Sequence, residues 1–183
     1  MEFIFYTMEQ YQQHLEKLRR IKLLLLDVDG VMTDGSIVYG AEDQEIKQFN
    51  VRDGLGIRLA IRAGINVGVV TGRRSEALMH RCRNLGIGLI YAGVSDKATL
   101  LDRIVAQTAV PAESIAFVGD DLVDLPLMRR IGLSIAVADA HEVVKAHADL
   151  ITTAPGGAGA VREICEALLK SQGHWESILK EFL

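Results

Sequence analysis

Apolar runs of strand length recur along the chain, and each stops at polar or glycine residues. Residues 23–27 open as four consecutive leucines and close on Asp27. Residues 66–70 repeat the pattern and stop at Thr71-Gly72. Residues 89–91 are a shorter version, and residues 115–118 stop at Gly119-Asp120-Asp121. Residues 133–137 and 149–152 complete the set. Runs that are continuous rather than alternating predict strands buried on both faces, as in a parallel sheet. Helical spacing fills the gaps. Residues 75–85 place Leu78, Cys82 and Leu85 on one face behind Ser75 as N-cap. Residues 160–172 carry a stripe of Val161, Ile164, Cys165, Leu168 and Leu169. Met8, Tyr11, Leu15 and Leu18 predict an N-terminal helix over 8–19, lying against the domain or a neighbour. Alternating strands and helices predict an α/β fold: a doubly wound parallel sheet with helices on both faces and right-handed connections.

One segment breaks the alternation. Between residues 32 and 49 the flanks are β-prone and residues 40–43 are turn-rich, which predicts a projecting β-hairpin directly after the first strand. The expected organisation is an N-terminal helix appendage over 1–20, one domain over 21–172 containing the hairpin at 32–49, and a tail over 173–183. A chain of 183 residues suits one domain. Only the hairpin and one helix separate the end of the first strand from residues 71–72, too little for a further domain of about 50 residues.

Composition narrows the function. Twenty Lys and Arg against twenty-four Asp and Glu give a net charge of −4, with no basic run, and aromatics are only 5%. That argues against a nucleic-acid partner. No apolar stretch is long enough to span a membrane, and the N-terminus lacks the basic start and long apolar middle of a signal peptide. Cys82 and Cys165 stand far apart without a CxxC partner, in keeping with a reduced, cytoplasmic setting.

Ligands of doubly wound sheets bind at the carboxyl ends of the strands. Here those ends supply Asp27 and Asp29, Thr71, Lys97 at the start of a helix, and Asp120 with Asp121. Clustered carboxylates repel one another unless a cation sits among them. Oxygen ligands select a hard ion such as Mg2+. Thr71 and Lys97 suit an anion instead, and metal plus anion donors in one place points to phosphoryl chemistry.

These motifs, in this order, resemble the haloacid dehalogenase superfamily. The matching pieces are Asp27-Val28-Asp29-Gly30-Val31, Val69-Val70-Thr71-Gly72, Lys97, and Val118-Gly119-Asp120-Asp121. The resemblance implies a Rossmann-like core. It implies that Asp27 is the nucleophile and forms an aspartyl-phosphate, and that Asp29 protonates the leaving alcohol and then activates water. Thr71 and Lys97 would hold the phosphoryl oxygens. Asp27, the Asp29 carbonyl and Asp120 would ligate Mg2+, with Asp121 supporting them from behind. A proton-donating Asp29 argues against a dehalogenase, because halide leaves without a proton.

Further stretches are similar to the 3-deoxy-D-manno-octulosonate 8-phosphate phosphatase family. They begin at Asp27, Phe49, Gly119, Val137 and Gly156, the last reading Gly-Gly-Ala-Gly-Ala-Val-Arg-Glu. That resemblance implies a capless homotetramer of lipopolysaccharide biosynthesis, with neighbouring subunits closing each site. It implies a small phosphorylated sugar acid as substrate, contacted by Asn50, Val51, Arg52, Asp53 and Gly54, with Arg58, Arg73 and Arg81 on its phosphate or acid groups. The 32–49 hairpins would pair between copies. Residues 156–159 form a second lid in this reading, with the glycines as hinge and Arg162 as a contact. Where Ala158 stands the family commonly has an arginine. Asp124 and Asp139 read as helix caps. Three other readings remain open: a phosphatase for a nine-carbon 3-deoxy-2-ulosonate 9-phosphate, a phosphoacceptor receiver module, and a capless phosphatase of proteins or nucleic acids. Against the receiver, its lysine comes last in the chain, whereas Lys97 precedes Gly119-Asp120-Asp121.

Overall fold

The fold is described from a computed structural model, which covers residues 8–41 and 44–183. In chain order the elements are α1 (Met8–Arg20), β1 (Leu23–Leu26), β2 (Val38–Tyr39), β3 (Glu45–Ile46), α2 (Val51–Arg62), β4 (Asn66–Thr71), α3 (Glu76–Leu85) and β5 (Leu89–Ala92). Then follow α4 (Lys97–Thr108), β6 (Ile115–Gly119), α5 (Leu125–Met128), β7 (Leu133–Ala136), α6 (Glu142–His147), β8 (Leu150–Ile151), α7 (Ala160–Ser171) and α8 (Trp175–Leu179).

Six strands form one sheet in the order β5-β4-β1-β6-β7-β8, every neighbouring pair parallel. Counted within the sheet this is the doubly wound order, which reverses direction between β1 and β6. The reversal opens a crevice at the carboxyl ends of those two strands. Leu26 lies in register with Val69 of β4 and Val118 of β6. Asp27, one residue on, donates its amide to the Val118 carbonyl and so leaves the sheet at the crevice.

The four leucines of β1 are fully buried. At roughly 2 kcal/mol per buried side chain, they are why this run is the central strand rather than an edge. Val144, Ile164, Cys165, Leu168 and Leu169 belong to the same core, and α2 packs against α7. Leu18 of α1 is also fully buried, and Gln172 donates to the Leu18 and Ile21 carbonyls, so this helix lies on its own domain. Residues after α7 turn back as α8, with Ile178 buried.

The predicted hairpin is present as an antiparallel ribbon separate from the main sheet, with Val38 opposite Ile46 and Tyr39 opposite Glu45. Part of its expected turn, residues 42–43, lies outside the described residues. Among the described residues no helix is long and apolar enough to cross a membrane.

Candidate active site

The loop after β1 curls tightly, because the amides of Val31, Met32 and Thr33 all donate to the Val28 carbonyl. Gly30 in this loop has φ +92°, a backbone region that favours glycine. A Cβ there would run into the Asp120 carboxylate. The glycine thus lets Asp120, at the end of β6, close over the β1 loop.

Asp27, Asp120 and Asp124 each bring an oxygen within 4.8 Å of the other two. Lys97, at the first position of α4 and only 4% exposed, enters the same cluster. Its Nζ lies 2.9 Å from Asp27 Oδ1 and 2.5 Å from Asp124 Oδ1. Burial works against the ammonium, but the two carboxylates more than offset it and hold Lys97 above its usual range. The carboxylates respond the opposite way. Burial, then the Asp124 charge, pushes Asp27 up to about 6 against the pull of Lys97. Burial, with Asp27, Asp124 and Asp121 adding to it, pushes Asp120 up to about 8. One ammonium does not neutralise three acids.

These residues fit a divalent cation. Asp120 Oδ1 is buried without a hydrogen-bond partner, and the donors are oxygens throughout. Asp124 is already engaged at both oxygens. Besides Lys97 it accepts the amides of Asp120 at 2.9 Å and Asp121 at 3.3 Å. It therefore braces the cluster from beneath, leaving Asp27 and Asp120 as carboxylate ligands. The expected supporting carboxylate was Asp121. That residue is exposed, and its side chain instead caps the next turn through the Leu122 amide at 2.7 Å. Nor is Asp124 a simple helix cap, although Gly119-Asp120-Asp121-x-x-Asp124 was the signal for it. Asp139 accepts the Gly156 amide and caps no helix of its own.

Thr71 ends β4 with its side chain buried, Oγ1 accepting the Arg73 amide at 3.2 Å. Its hydroxyl remains able to donate to an anion. Asp29 is half-buried beside the cluster and meets two cations. Lys47 Nζ pairs with its Oδ1, and Arg73 Nε lies 3.8 Å from Oδ2. Glu45 joins both cations, at 2.7 Å from Lys47 and 2.9 Å from Arg73. Sequence reasoning missed Lys47 and Glu45. Strand alternation was the available signal, since it puts 45 and 47 on one face of the ribbon and Ile46 and Gln48 on the other.

The 50–54 segment divides by role. Asn50 caps α2, accepting the Arg52 amide at 2.8 Å, while its amide nitrogen donates to the Gly157 carbonyl. Val51 and Arg52 are exposed. Asp53 was expected at the substrate, yet it is 4% exposed and accepts the Arg162 amide at 2.8 Å, which ties α2 to the start of α7. Arg81 was expected there too, but its guanidinium donates to the Asn50 carbonyl at 2.9 Å and lies over the Phe49 ring. Gly54 leaves the space it occupies, since a Cβ there would meet that guanidinium. Arg58 is exposed eight residues past Asn50, about 12 Å along the helix, and is not gathered into the cluster.

The glycine-rich stretch is not a hinge. Gly156 donates its amide to Asp139, and a Cβ on it would strike the Gly30 carbonyl. Gly157 donates to the Val31 carbonyl at 2.9 Å. This segment is packed backbone to backbone beneath the catalytic loop. Arg162 pairs with Glu166 at 2.6 Å and points its guanidinium over Trp175, away from a lid role.

Comparison with known proteins gives a consistent result. The family model for haloacid dehalogenase-like hydrolase matches residues 83–164. The chain is 47% identical over 159 residues to the 3-deoxy-D-manno-octulosonate 8-phosphate phosphatase KdsC of Escherichia coli K12, covering 87% of this chain and 85% of that protein. A crystal structure of the same phosphatase from Moraxella catarrhalis, in complex with magnesium ion, phosphate ion and KDO, superposes with a TM-score of 0.90 at 39% identity, covering 97% of this chain and 100% of that one. The cobalt-bound form from Haemophilus influenzae superposes with a TM-score of 0.83 at 45% identity, covering 86% and 92%.

Proposed function

The chain belongs to the 3-deoxy-D-manno-octulosonate 8-phosphate phosphatase family of haloacid dehalogenase-like hydrolases, and from that premise we propose that it hydrolyses 3-deoxy-D-manno-octulosonate 8-phosphate with Mg2+ as cofactor. The observation that carries the reading is the pairing of Asp27 and Asp120 across the β1/β6 crevice, with Lys97 between Asp27 and Asp124.

Asp27 and Asp120, with the Asp29 carbonyl, would hold the ion. When bound it neutralises phosphate charge, so that an anionic carboxylate can approach an anionic ester. Thr71 and Lys97 orient the phosphoryl oxygens. A carboxylate oxygen of Asp27 forms a bond to phosphorus while the bond from phosphorus to the ester oxygen breaks. Asp29 delivers a proton to that leaving oxygen. It then takes a proton from water, whose oxygen attacks the aspartyl-phosphate. Inorganic phosphate leaves and Asp27 is restored.

The reading includes a homotetramer in which neighbours close each capless site. Its support is the outer face of the ribbon, where Val38 and Ile46 lie opposite each other and are each 49% exposed. Apolar residues so placed, on a ribbon without a partner in its own sheet, favour pairing between copies.

Phosphate release from the sugar-acid phosphate should require Mg2+ and stop with EDTA. Asp27→Asn should keep the circular dichroism of the parent and lose at least about a thousandfold in kcat, about 4 kcal/mol of barrier. Near-normal turnover by Asp27→Asn, or full activity after rigorous metal removal, would refute the assignment.

A further inference from the structure

The Asp29 carboxylate is held by the hairpin. Lys47 follows β3, and its side chain is only 3% exposed, although it belongs to a projecting ribbon. Its ammonium is spent on two carboxylates, Asp29 across the site mouth and Glu45 beside it at 2.7 Å. Glu45 in turn is fixed at its other oxygen by Arg73 at 2.9 Å. The result is a closed chain of charges, Asp29–Lys47–Glu45–Arg73, that returns to Asp29 through the 3.8 Å approach of Arg73. A lysine with four rotatable side-chain bonds is costly to immobilise in this way. Burying an ammonium is tolerated only when it is paired.

Resting on the acid–base role of Asp29 proposed above, the geometry points to Lys47 as a positioning residue: it fixes the direction of the Asp29 carboxylate toward the leaving oxygen, and makes turnover depend on the ribbon of β2 and β3 that carries it. A general acid must lie within hydrogen-bond reach of the atom it protonates, and it contributes about a hundred- to ten-thousandfold when it does. A free Asp29 would rotate about two side-chain bonds. The Lys47 pair selects one orientation, and Glu45 selects the orientation of Lys47. Lys47 need touch neither the phosphate nor the sugar to do this.

The test is a double-mutant cycle between Lys47→Met and Asp29→Asn, measured on the intact assembled enzyme with the sugar-acid phosphate. Lys47→Met alone should lower kcat by about ten- to a hundredfold while KM stays within about twofold. In the Asp29→Asn background the same change should cost less than about twofold, because the group that Lys47 orients has lost its function. Lys47→Arg keeps a cation at the position and should recover most of the loss.

Three results overturn the proposal. The first is an unchanged kcat in Lys47→Met. The second is a Lys47→Met loss as large on Asp29→Asn as on the parent, which would mean that Lys47 acts on substrate or fold independently. The third is a Lys47→Arg enzyme no better than Lys47→Met. Normal turnover by Asp29→Asn would instead remove the acid–base assignment of Asp29, and the role of Lys47 with it. Should Lys47→Met fail to assemble, Glu45→Gln loosens Lys47 without removing it and should shift kcat in the same direction, again without effect on Asp29→Asn.

Discussion

Asp27 and Asp120 carry protons at a pH where ordinary carboxylates have lost theirs, since burial and the Asp124 charge raise Asp27 to about 6, and burial with the Asp27 and Asp124 charges raises Asp120 to about 8. The unfolded chain releases those protons near pH 4. Between there and pH 8 the metal-free fold therefore binds more protons than the unfolded chain. By linkage, the cluster's contribution to stability falls as pH rises through that window. Magnesium needs the ionised oxygens, so its binding expels the protons and strengthens with pH. At one fixed, subsaturating Mg2+ concentration, the rise in Tm should be larger at pH 8 than at pH 6, as read by scanning calorimetry. An equal or larger rise at pH 6 would contradict this account of the cluster. Lys97 does not blunt the effect, because its two partners hold it charged throughout the window.

Two segments far apart in the chain, the loop after β1 and the stretch before α7, meet backbone to backbone, and glycine is what lets them do so. An alanine Cβ at 156 would strike the Gly30 carbonyl, and a backbone atom cannot swing aside as a side chain can. Gly156→Ala should lower stability by about 1–3 kcal/mol in urea denaturation and weaken Mg2+ binding, since Gly30 lies directly under Asp120. Gly88→Ala is the control: its Cβ would meet nothing within 4 Å, and its stability should change by less than about 0.5 kcal/mol. The strands were readable because four leucines, or Val67 to Val70 with Gly68 among them, are apolar without interruption. Such runs leave burial on both faces as the only economical placement. Asp27, Thr71, Lys97 and Asp120 were readable because each ends a strand or begins a helix at the same edge of the sheet. Asp124, Lys47 and Asp53 were not, because their meaning lies in partners 27, 18 and 109 positions away. Local pattern carries no trace of pairings that only the packed sheet creates. Reading residues 156–159 as a hinge failed for a related reason. Glycine permits both motion and close approach, and only the neighbouring backbone tells which is in use.

At the scale of the whole molecule, the carboxyl edge of the sheet gathers Asp27, Thr71, Lys97 and Asp120, and the ribbon meets that edge through Lys47. The ribbon's two faces divide the work: Glu45 and Lys47 face the site, while Val38 and Ile46 face outward. If the proposed homotetramer forms through this face, Val38→Glu combined with Ile46→Glu should shift light scattering toward smaller species and lower kcat on the sugar-acid phosphate at least about tenfold, about 1.4 kcal/mol. It leaves the Lys47 charge chain in place, unlike a deletion of the ribbon. A monomeric variant with full activity would show that no neighbour is needed. The contact between Gly30 and Gly156 also bears on how the protein comes into being. Asp27 is made early, but the ledge that its loop rests on is translated more than a hundred residues later. At typical synthesis rates that interval is on the order of ten seconds. During it the nascent chain already holds Asp27, Thr71, Lys97 and, by its end, Asp120, with no floor beneath the loop. The loop that bears Asp27 is thus seated late, and a chain released before residue 156 carries Asp27, Thr71, Lys97 and Asp120 without the backbone contact beneath that loop.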